Sequence, residues 1–194
     1  IAMIGSIIIC ASIVIGVLSL TGLGIKVTST ILAVASDSLW PALLLTALAC
    51  LILGMEVPTT AAYVICISVA GPALAQLGVQ PLVAHLFVFW FALLSTITPP
   101  VCGAVFIAAG MIGENWLKVA GKAMVLGIGL YVIPLGMIAN PGLLGLAAAP
   151  GWALLVFVKV GIGLVLLSYG TIARRPVPLR LALVAAGFAC VFVS

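Results

Sequence analysis

The sequence predicts an all-α membrane protein, a multi-span helical bundle that contains a re-entrant helical hairpin and a discontinuous helix. Of its 194 residues, 66% are hydrophobic and only 5% are charged, whereas about a quarter of a soluble domain is charged. Apolar runs recur along the chain, and the longest of them can cross a bilayer. Two runs break at Gly- and Pro-containing polar segments, which membrane helices tolerate only in protected surroundings.

The first apolar run, residues 1–23, is long enough for a membrane span of about 20 residues. The more polar stretch that follows, residues 26–38, predicts a loop outside the membrane. Asp37 and Ser38 at its end are typical of a helix cap, so the next helix is expected to begin at Leu39. We interpret the run and the loop as one span followed by its connection.

Residues 39–77 predict the re-entrant hairpin. The arms, residues 39–53 and 61–77, are short for spans and meet at a polar tip, residues 54–60, while Gly71 and Pro72 interrupt the second arm. Such a hairpin enters and leaves the membrane on one side. Its non-helical tip is expected to be buried in protein or to face a water-filled cavity.

A second interruption predicts the discontinuous helix. After a turn at residues 78–81, the apolar run 82–97 breaks at Thr98, Pro99 and Pro100 and resumes over residues 101–112. Tandem prolines remove two backbone donors and disfavour helical geometry at the residue before them.

The last third of the chain predicts an interfacial helix and three spans. Glu114, Lys118 and Lys122 are four residues apart and share one face of a short helix over residues 113–122. Spans are expected over residues 123–138, 152–172 and 179–194, with a weak apolar stretch, residues 143–149, after Asn140 and Pro141.

The basic residues predict the orientation. Lys118 and Lys122 precede Arg174 and Arg175 by two crossings, so all four are expected on one side, which the positive-inside rule assigns to the cytoplasm. The stretch 26–38 then faces outward.

The two breaks predict a binding site for a cation. Backbone groups left unpaired at membrane depth cost several kcal/mol each and persist where they bind a ligand. Unwound carbonyls suit Na⁺, and helix N-termini suit an anionic substrate group. The alternative is a pair of Pro/Gly kinks satisfied by neighbouring helices. The candidate residues are Gly54, Glu56, Pro58, Thr59, Thr60, Ser95, Thr96, Thr98, Pro99 and Pro100, with Thr59, Thr60 and Thr98 as the metal ligands.

Three ionisable residues lie inside apolar segments. Glu56 is the one acid of the apolar body; it is a functional candidate, a structural ion-pair partner or a tip residue at the aqueous mouth. His85 is expected at the interface rather than in a proton relay. Lys159 is predicted to lie deep in the membrane, so its ammonium group needs either a partner or an extended side chain that reaches the aqueous interface.

The composition excludes several other functions. The cysteines lie in apolar runs without CxxC spacing, which favours small buried hydrophobes over disulfides or a metal cluster: Cys10, Cys50, Cys66, Cys102 and Cys190. The scattered basic residues exclude nucleic acid as a partner. Catalytic constellations are absent from the sequence, so an enzyme is not expected. A channel would show a repeated polar lining, and no such stripe is visible.

The break motifs carry a family resemblance. Residues 53–63, the pair Gly71–Pro72, the segment 84–90 and Thr98–Pro99–Pro100 together closely resemble the large permease subunit of TRAP (tripartite ATP-independent periplasmic) transporters, and most closely the fused type. The resemblance covers residues 1–146. Residues 147–194 resemble the additional C-terminal helices of fused permeases.

The resemblance implies a sodium-coupled secondary importer of organic anions, often carboxylates, in the bacterial inner membrane. It needs no cofactor besides Na⁺ as coupling ion, and a periplasmic solute-binding protein delivers the substrate. The chain would hold the second inverted repeat of an elevator-type transporter, with the first repeat in a missing N-terminal portion. Many relatives carry an acid-then-threonine pair near the tip, where this sequence has Val57–Pro58–Thr59–Thr60. Both ends fall in apolar runs, so we expect a piece of a longer polypeptide.

Overall fold

Helices dominate the computed structural model, which describes residues 2–35, 38–55, 57–145, 149–173 and 176–193. The chain divides into two compact units, here called the N-terminal unit (Ile1–Gly113) and the C-terminal unit (Glu114–Ser194). Helices of the N-terminal unit are α1 (Ala2–Leu20), α2 (Leu23–Ala35), α3 (Leu39–Leu53), α4 (Thr59–Gln76), α5 (Pro81–Leu94) and α6 (Gly103–Ile112). The C-terminal unit has α7 (Trp116–Leu126), α8 (Ile128–Ala139), a short 3-10 helix (Pro141–Leu144), α9 (Pro150–Ile172) and α10 (Val177–Phe192).

The stretch predicted as a loop over residues 26–38 is largely helical, so that prediction is wrong. Helix α2 continues to Ala35, because the hydroxyl groups of this stretch donate hydrogen bonds to carbonyls of the same helix. Ser29 Oγ and Thr30 Oγ1 both donate to Lys26 O, at 2.9 and 2.8 Å. Such bonds to the preceding turn let Ser and Thr stay inside a helix. Asp37, predicted as part of a cap, lies outside the described residues.

Helix α2 is also held by burial against the hairpin. Ile31 is buried in one cluster with Ala42 of α3 and Ala73 of α4. Thr28 is buried, and its Oγ1 donates to Val69 O of α4 at 2.9 Å. A segment with one apolar face and a satisfied buried hydroxyl is more stable packed as a helix than extended in water.

The hairpin arms are two separate helices, as predicted, but the second arm, α4, was expected to be short for a span and is long enough to cross a membrane. Helix α3 ends at Leu53, α4 begins at Thr59, and Pro58 is the N-cap of α4. Cys66 Sγ lies 3.6 Å from Cys50 O, and Ala42 shares a cluster with Ala73. The later residue of α3, Cys50, lies beside the earlier residue of α4, Cys66, and the earlier residue of α3, Ala42, lies beside the later residue of α4, Ala73. The two arms therefore run antiparallel. Pro72 does not interrupt the second arm, because α4 continues through it.

The predicted break at the tandem prolines separates two apolar helices, and it is wider than the prolines alone predict. Helix α5 ends at Leu94 and α6 begins at Gly103. Helix α6 ends at Gly113, which has a φ of 67°. Glycine adopts this left-handed conformation without strain, and such a residue commonly terminates a helix.

In the C-terminal unit, the predicted boundary between interfacial helix and span is displaced. Helix α7 runs past Lys122 to Leu126, and the break falls at Gly127, where the axis bends by 43°. Nothing between Lys122 and Leu126 opposes helix formation, whereas Gly127 is a poor helix former. Helix α7 begins at Trp116, so Glu114 precedes the helix that was predicted to include it, although Glu114 Oε2 and Lys118 Nζ are 3.8 Å apart.

Helices α9 and α10 pack unusually closely because glycines face each other. A Cβ atom on Gly187 would lie 2.8 Å from Gly163 O, and one on Gly170 would lie 2.9 Å from Val184 Cγ2. Small residues at such a contact allow membrane helices to approach closely. Leu167 is fully buried in the same contact, in a cluster with Val191.

Two polar side chains of this unit hydrogen-bond to backbone carbonyls at the end of α10. The buried Asn140 donates from Nδ2 to Gly136 O at 3.0 Å and to Val191 O of α10 at 2.7 Å. Lys159, for which the sequence offered no partner, donates from Nζ to Val193 O beside the end of α10. A cation near the C-terminal carbonyls of a helix is electrostatically favourable.

The lengths and surfaces of the helices fit a bilayer. Helices α4 and α9 are long and apolar enough to cross a membrane, and the bent pairs α1–α2 and α7–α8 each qualify when counted as one span. Large apolar side chains of α9 are exposed: Phe157 at 66% and Val165 at 67%. Exposed apolar surface on this scale is unstable in water and suits lipid.

Candidate functional site

The two predicted breaks meet in the structure. Ser95, the C-cap of α5, is fully buried, and its Oγ donates to Gly54 O at the hairpin tip over 2.9 Å. Ser95 Oγ also lies 2.6 Å from Ala92 O in its own helix. A hydroxyl has a single proton, so Ser95 Oγ donates to one of these two carbonyls at a time. The bond joins segments that are 41 residues apart in the sequence.

Gly54 is the residue that allows this approach. A Cβ atom there would lie 2.7 Å from Ser95 Oγ and 3.0 Å from Cys50 O. Its φ of −84° is open to any residue. The requirement for glycine at this position is therefore one of space between the tip and the second break.

The hydroxyls of the second break cap the end of α5. Thr96 Oγ1 donates to Leu93 O at 2.9 Å, and Thr98 Oγ1 donates to Leu94 O at 2.7 Å. These contacts add a side-chain donor to carbonyls that also accept a backbone bond, from Thr96 N to Leu93 O and from Ile97 N to Leu94 O. A hydroxyl that donates its proton keeps its oxygen lone pairs. The same side chains can therefore present neutral oxygens to a cation while they hold α5 in place.

The hairpin tip has hydroxyls and backbone amides at the start of α4. Thr59 is half-buried and Thr60 is exposed. Neither hydroxyl hydrogen-bonds to another residue within the ranges that the structure describes. Ala62 N donates to Pro58 O, so the amides before it have no partner within the helix. The amino end of a helix favours an anion or the negative end of a dipole.

Not every predicted site residue can be placed. Glu56 lies outside the described residues. Pro99 and Pro100 are joined by a cis peptide bond between the end of α5 and the start of α6. The contact between the two breaks is made by Gly54 and Ser95. Thr59, Thr60, Thr96 and Thr98 lie on the segments so joined. This arrangement offers neutral oxygen donors, which hard cations such as Na⁺ prefer to nitrogen or sulfur.

Three features near the site were not anticipated from the sequence. Tyr63 Oη lies 2.7 Å from His85 Nδ1, which links the start of α4 to α5. Cys66 Sγ contacts Cys50 O inside the hairpin. Thr46 of α3 is fully buried, and its Oγ1 has no hydrogen-bond partner among the described residues. Spacing gives no signal for contacts between helices, so such pairs need the fold.

The cysteines follow the predicted burial in part. Cys50, Cys66 and Cys102 are buried, in keeping with their apolar sequence context. Cys10 is exposed and Cys190 is half-buried. An exposed cysteine on an apolar helix is compatible with a lipid-facing surface, which the sequence pattern could not distinguish from a protein core.

Several apolar helices long enough to cross a bilayer indicate a multi-pass membrane protein. The chain belongs to the DctM component family of tripartite ATP-independent periplasmic transporters, because the model of that family matches residues 1–152. It is therefore a TRAP transporter permease, a member of a transporter family rather than of an enzyme family. No match is found among curated proteins or among solved structures. The predicted division between residues 146 and 147 remains a prediction.

Proposed function

We propose that the chain forms the second-repeat part of a sodium-coupled TRAP permease that imports organic anions, most often carboxylates. The observation that carries the proposal is the bond from Ser95 Oγ to Gly54 O. It brings the hairpin tip and the discontinuous helix together, as a shared ion site requires. Broken helices that converge in this way are the usual ion and substrate sites of secondary transporters.

The proposed sodium site uses uncharged oxygens. Thr59, Thr60 and Thr98 supply hydroxyls, and the carbonyls at the ends of α3 and α5 complete the set. The chain has three acidic residues in total, so a site built from neutral oxygens fits its composition. Ser95 acts as a positioning residue, because its side chain holds Gly54 next to the second break.

The proposed substrate contact is the amino end of α4. Its unpaired amides begin at Thr59, next to the tip, and a carboxylate placed there would gain hydrogen bonds and favourable dipole interaction. The substrate would arrive from a periplasmic solute-binding protein. The first repeat and the small permease component would be supplied by the rest of the transporter, and the assembly would move by an elevator-type shift in the bacterial inner membrane.

Counterflow of a labelled organic acid by the full-length transporter, reconstituted with its binding protein, tests this proposal. Vesicles preloaded with unlabelled substrate are expected to accumulate label transiently, and initial uptake is expected to rise with external Na⁺ and to saturate. A channel would equilibrate label without saturable exchange. Uptake that is equal with Na⁺ and with K⁺ would contradict sodium coupling.

A further inference from the structure

We propose that the C-terminal unit binds an anionic phospholipid in the groove between α7 and the end of α9. The groove has a volume of about 570 Å³. It is lined by Leu117, Lys118, Gly121, Lys122, Val125, Leu126, Thr171 and Ile172. It therefore combines two ammonium groups with an apolar wall, which is the pairing that a phosphate headgroup and its acyl chains need.

The apolar wall of the groove is exposed. Leu117 is 57% exposed and Leu126 63% exposed on α7, and Ile172 of α9 is 48% exposed. The lysines of the same helix are also exposed. Helix α7 thus presents lysines and large apolar side chains side by side, and a helix of this composition can lie at the membrane interface with its apolar side chains toward the acyl chains.

Charge complementarity identifies the occupant. Residues 114–194 contain six of the seven basic residues of the chain and one acid, Glu114. Glu114 pairs with Lys118 across 3.8 Å on an exposed surface, and exposed pairs of this kind are weak. Lys122 has no acidic partner in the part of the chain that the structure describes. Lys122 is therefore available to an anion, and the membrane surface supplies anionic headgroups.

The neighbouring end of α9 does not repel such a headgroup. Its last carbonyls carry partial negative charge, but Arg180 covers two of them. Arg180 Nε donates to Gly170 O at 3.1 Å, and an Nη atom donates to Thr171 O at 2.8 Å. The guanidinium therefore adds positive charge to the end of the groove that Thr171 and Ile172 form.

Native mass spectrometry of the full 194-residue chain in detergent, titrated with phosphatidylglycerol or phosphatidylcholine, tests the site. Phosphatidylglycerol is expected to bind more tightly, and Lys122→Gln is expected to lower that affinity about fivefold. Lys26→Gln is the matched control, because Lys26 is exposed on α2 and the charge change is identical. An equal effect of the two variants would overturn the proposal, because it would show that the lipid responds to the net charge of the chain and not to a specific site at Lys122.

A second variant tests the groove rather than its charge. A Cβ atom on Gly121 meets nothing within 4 Å, so Gly121→Leu fills the groove without changing the charge or straining the helix. It is expected to lower phosphatidylglycerol affinity at least threefold. Gly161→Leu on α9, where a Cβ atom also meets open space, is the control. Unchanged binding by Gly121→Leu would overturn the proposal.

The soluble headgroup distinguishes a lipid site from a phosphate site. Glycerophosphoglycerol and inorganic phosphate lack acyl chains, so neither is expected to displace phosphatidylglycerol at equal concentration. Displacement by either compound would show that the groove recognises free phosphate, and the lipid assignment would be wrong.

Discussion

Ser95 and Gly54, 41 residues apart in the sequence, are joined by a buried hydrogen bond of 2.9 Å between Oγ and the backbone carbonyl. Ser95 is fully buried, and a second carbonyl, Ala92 O, lies 2.6 Å from the same hydroxyl. The hairpin tip therefore rests directly on the end of α5. A change at either residue is expected to affect both breaks, because no space separates them.

Gly54→Ala is expected to destabilise the protein by about 1–3 kcal/mol, because the added methyl group would overpack the contact with Ser95 Oγ. The measurement is the thermal unfolding midpoint in detergent. Gly24→Ala in α2 is the control, since a Cβ atom there meets nothing within 4 Å. The combination with Ser95→Gly is expected to recover part of the loss, and strictly additive effects would contradict direct contact between the residues.

Asn140→Ala is expected to destabilise the C-terminal unit by about 1–3 kcal/mol, because it leaves buried carbonyls without the amide donor. Asn140→Asp is expected to be worse, since it sets a carboxylate against Gly136 O and Val191 O. Unfolding of both variants in detergent, followed by circular dichroism, provides the comparison. If Asn140→Asp were as stable as the parent, the bond to α10 would not be formed.

Gly187→Ala is expected to separate α9 and α10, because a Cβ atom would lie 2.7 Å from Leu167 Cγ and 2.8 Å from Gly163 O. A loss of about 1–3 kcal/mol is expected from such overpacking. Gly161→Ala on α9 makes no such contact and is expected to raise stability slightly through helix propensity. Equal unfolding midpoints for the two variants would rule out the close packing.

Lys118, Lys122, Arg174 and Arg175 are predicted to face the cytoplasm. The structure places Lys118 and Lys122 in one groove with Ile172, just before the arginine pair in sequence. Single cysteines at positions 118 and 175 of the full-length transporter are expected to resist a membrane-impermeant maleimide in intact cells and to react after lysis. Labelling of position 175 in intact cells would reverse the topology.

The breaks could be predicted from the sequence because their causes are local. Pro58 and the Pro99–Pro100 pair disfavour a continuous helix at their own positions. In the structure, α4 begins directly after Pro58, and α5 ends at Leu94, before the proline pair. The long apolar helix α9 follows from its composition alone. These features are determined by the types of neighbouring residues, so they can be predicted without knowledge of the fold.

Other features could not be predicted because they depend on tertiary contacts. Most of helix α2 was expected to be a loop because this stretch contains several hydroxyl side chains. In the structure, Thr28 Oγ1 donates a hydrogen bond to Val69 O of α4, which lets the helix pack there. Ser95 was a site candidate for its hydroxyl, but only the fold shows that Gly54 is its partner. The sodium ligands remain a prediction.

The most direct test of the proposed ion site is the half-saturating Na⁺ concentration for substrate uptake by the full-length transporter. Thr98→Ala and Thr59→Ala are expected to raise this concentration about tenfold, as the loss of one oxygen ligand worth about 1–2 kcal/mol implies. Thr30→Ala is the matched control, because Thr30 Oγ1 also bonds a carbonyl four residues earlier, at 2.8 Å, but lies on α2.

Binding-protein docking, measured separately, is expected to change little in these variants. Thr98→Ala and Thr59→Ala are expected to shift the sodium response, whereas Thr30→Ala is expected to leave it unchanged. A parental sodium response in both of the first two variants would contradict the site at the two breaks.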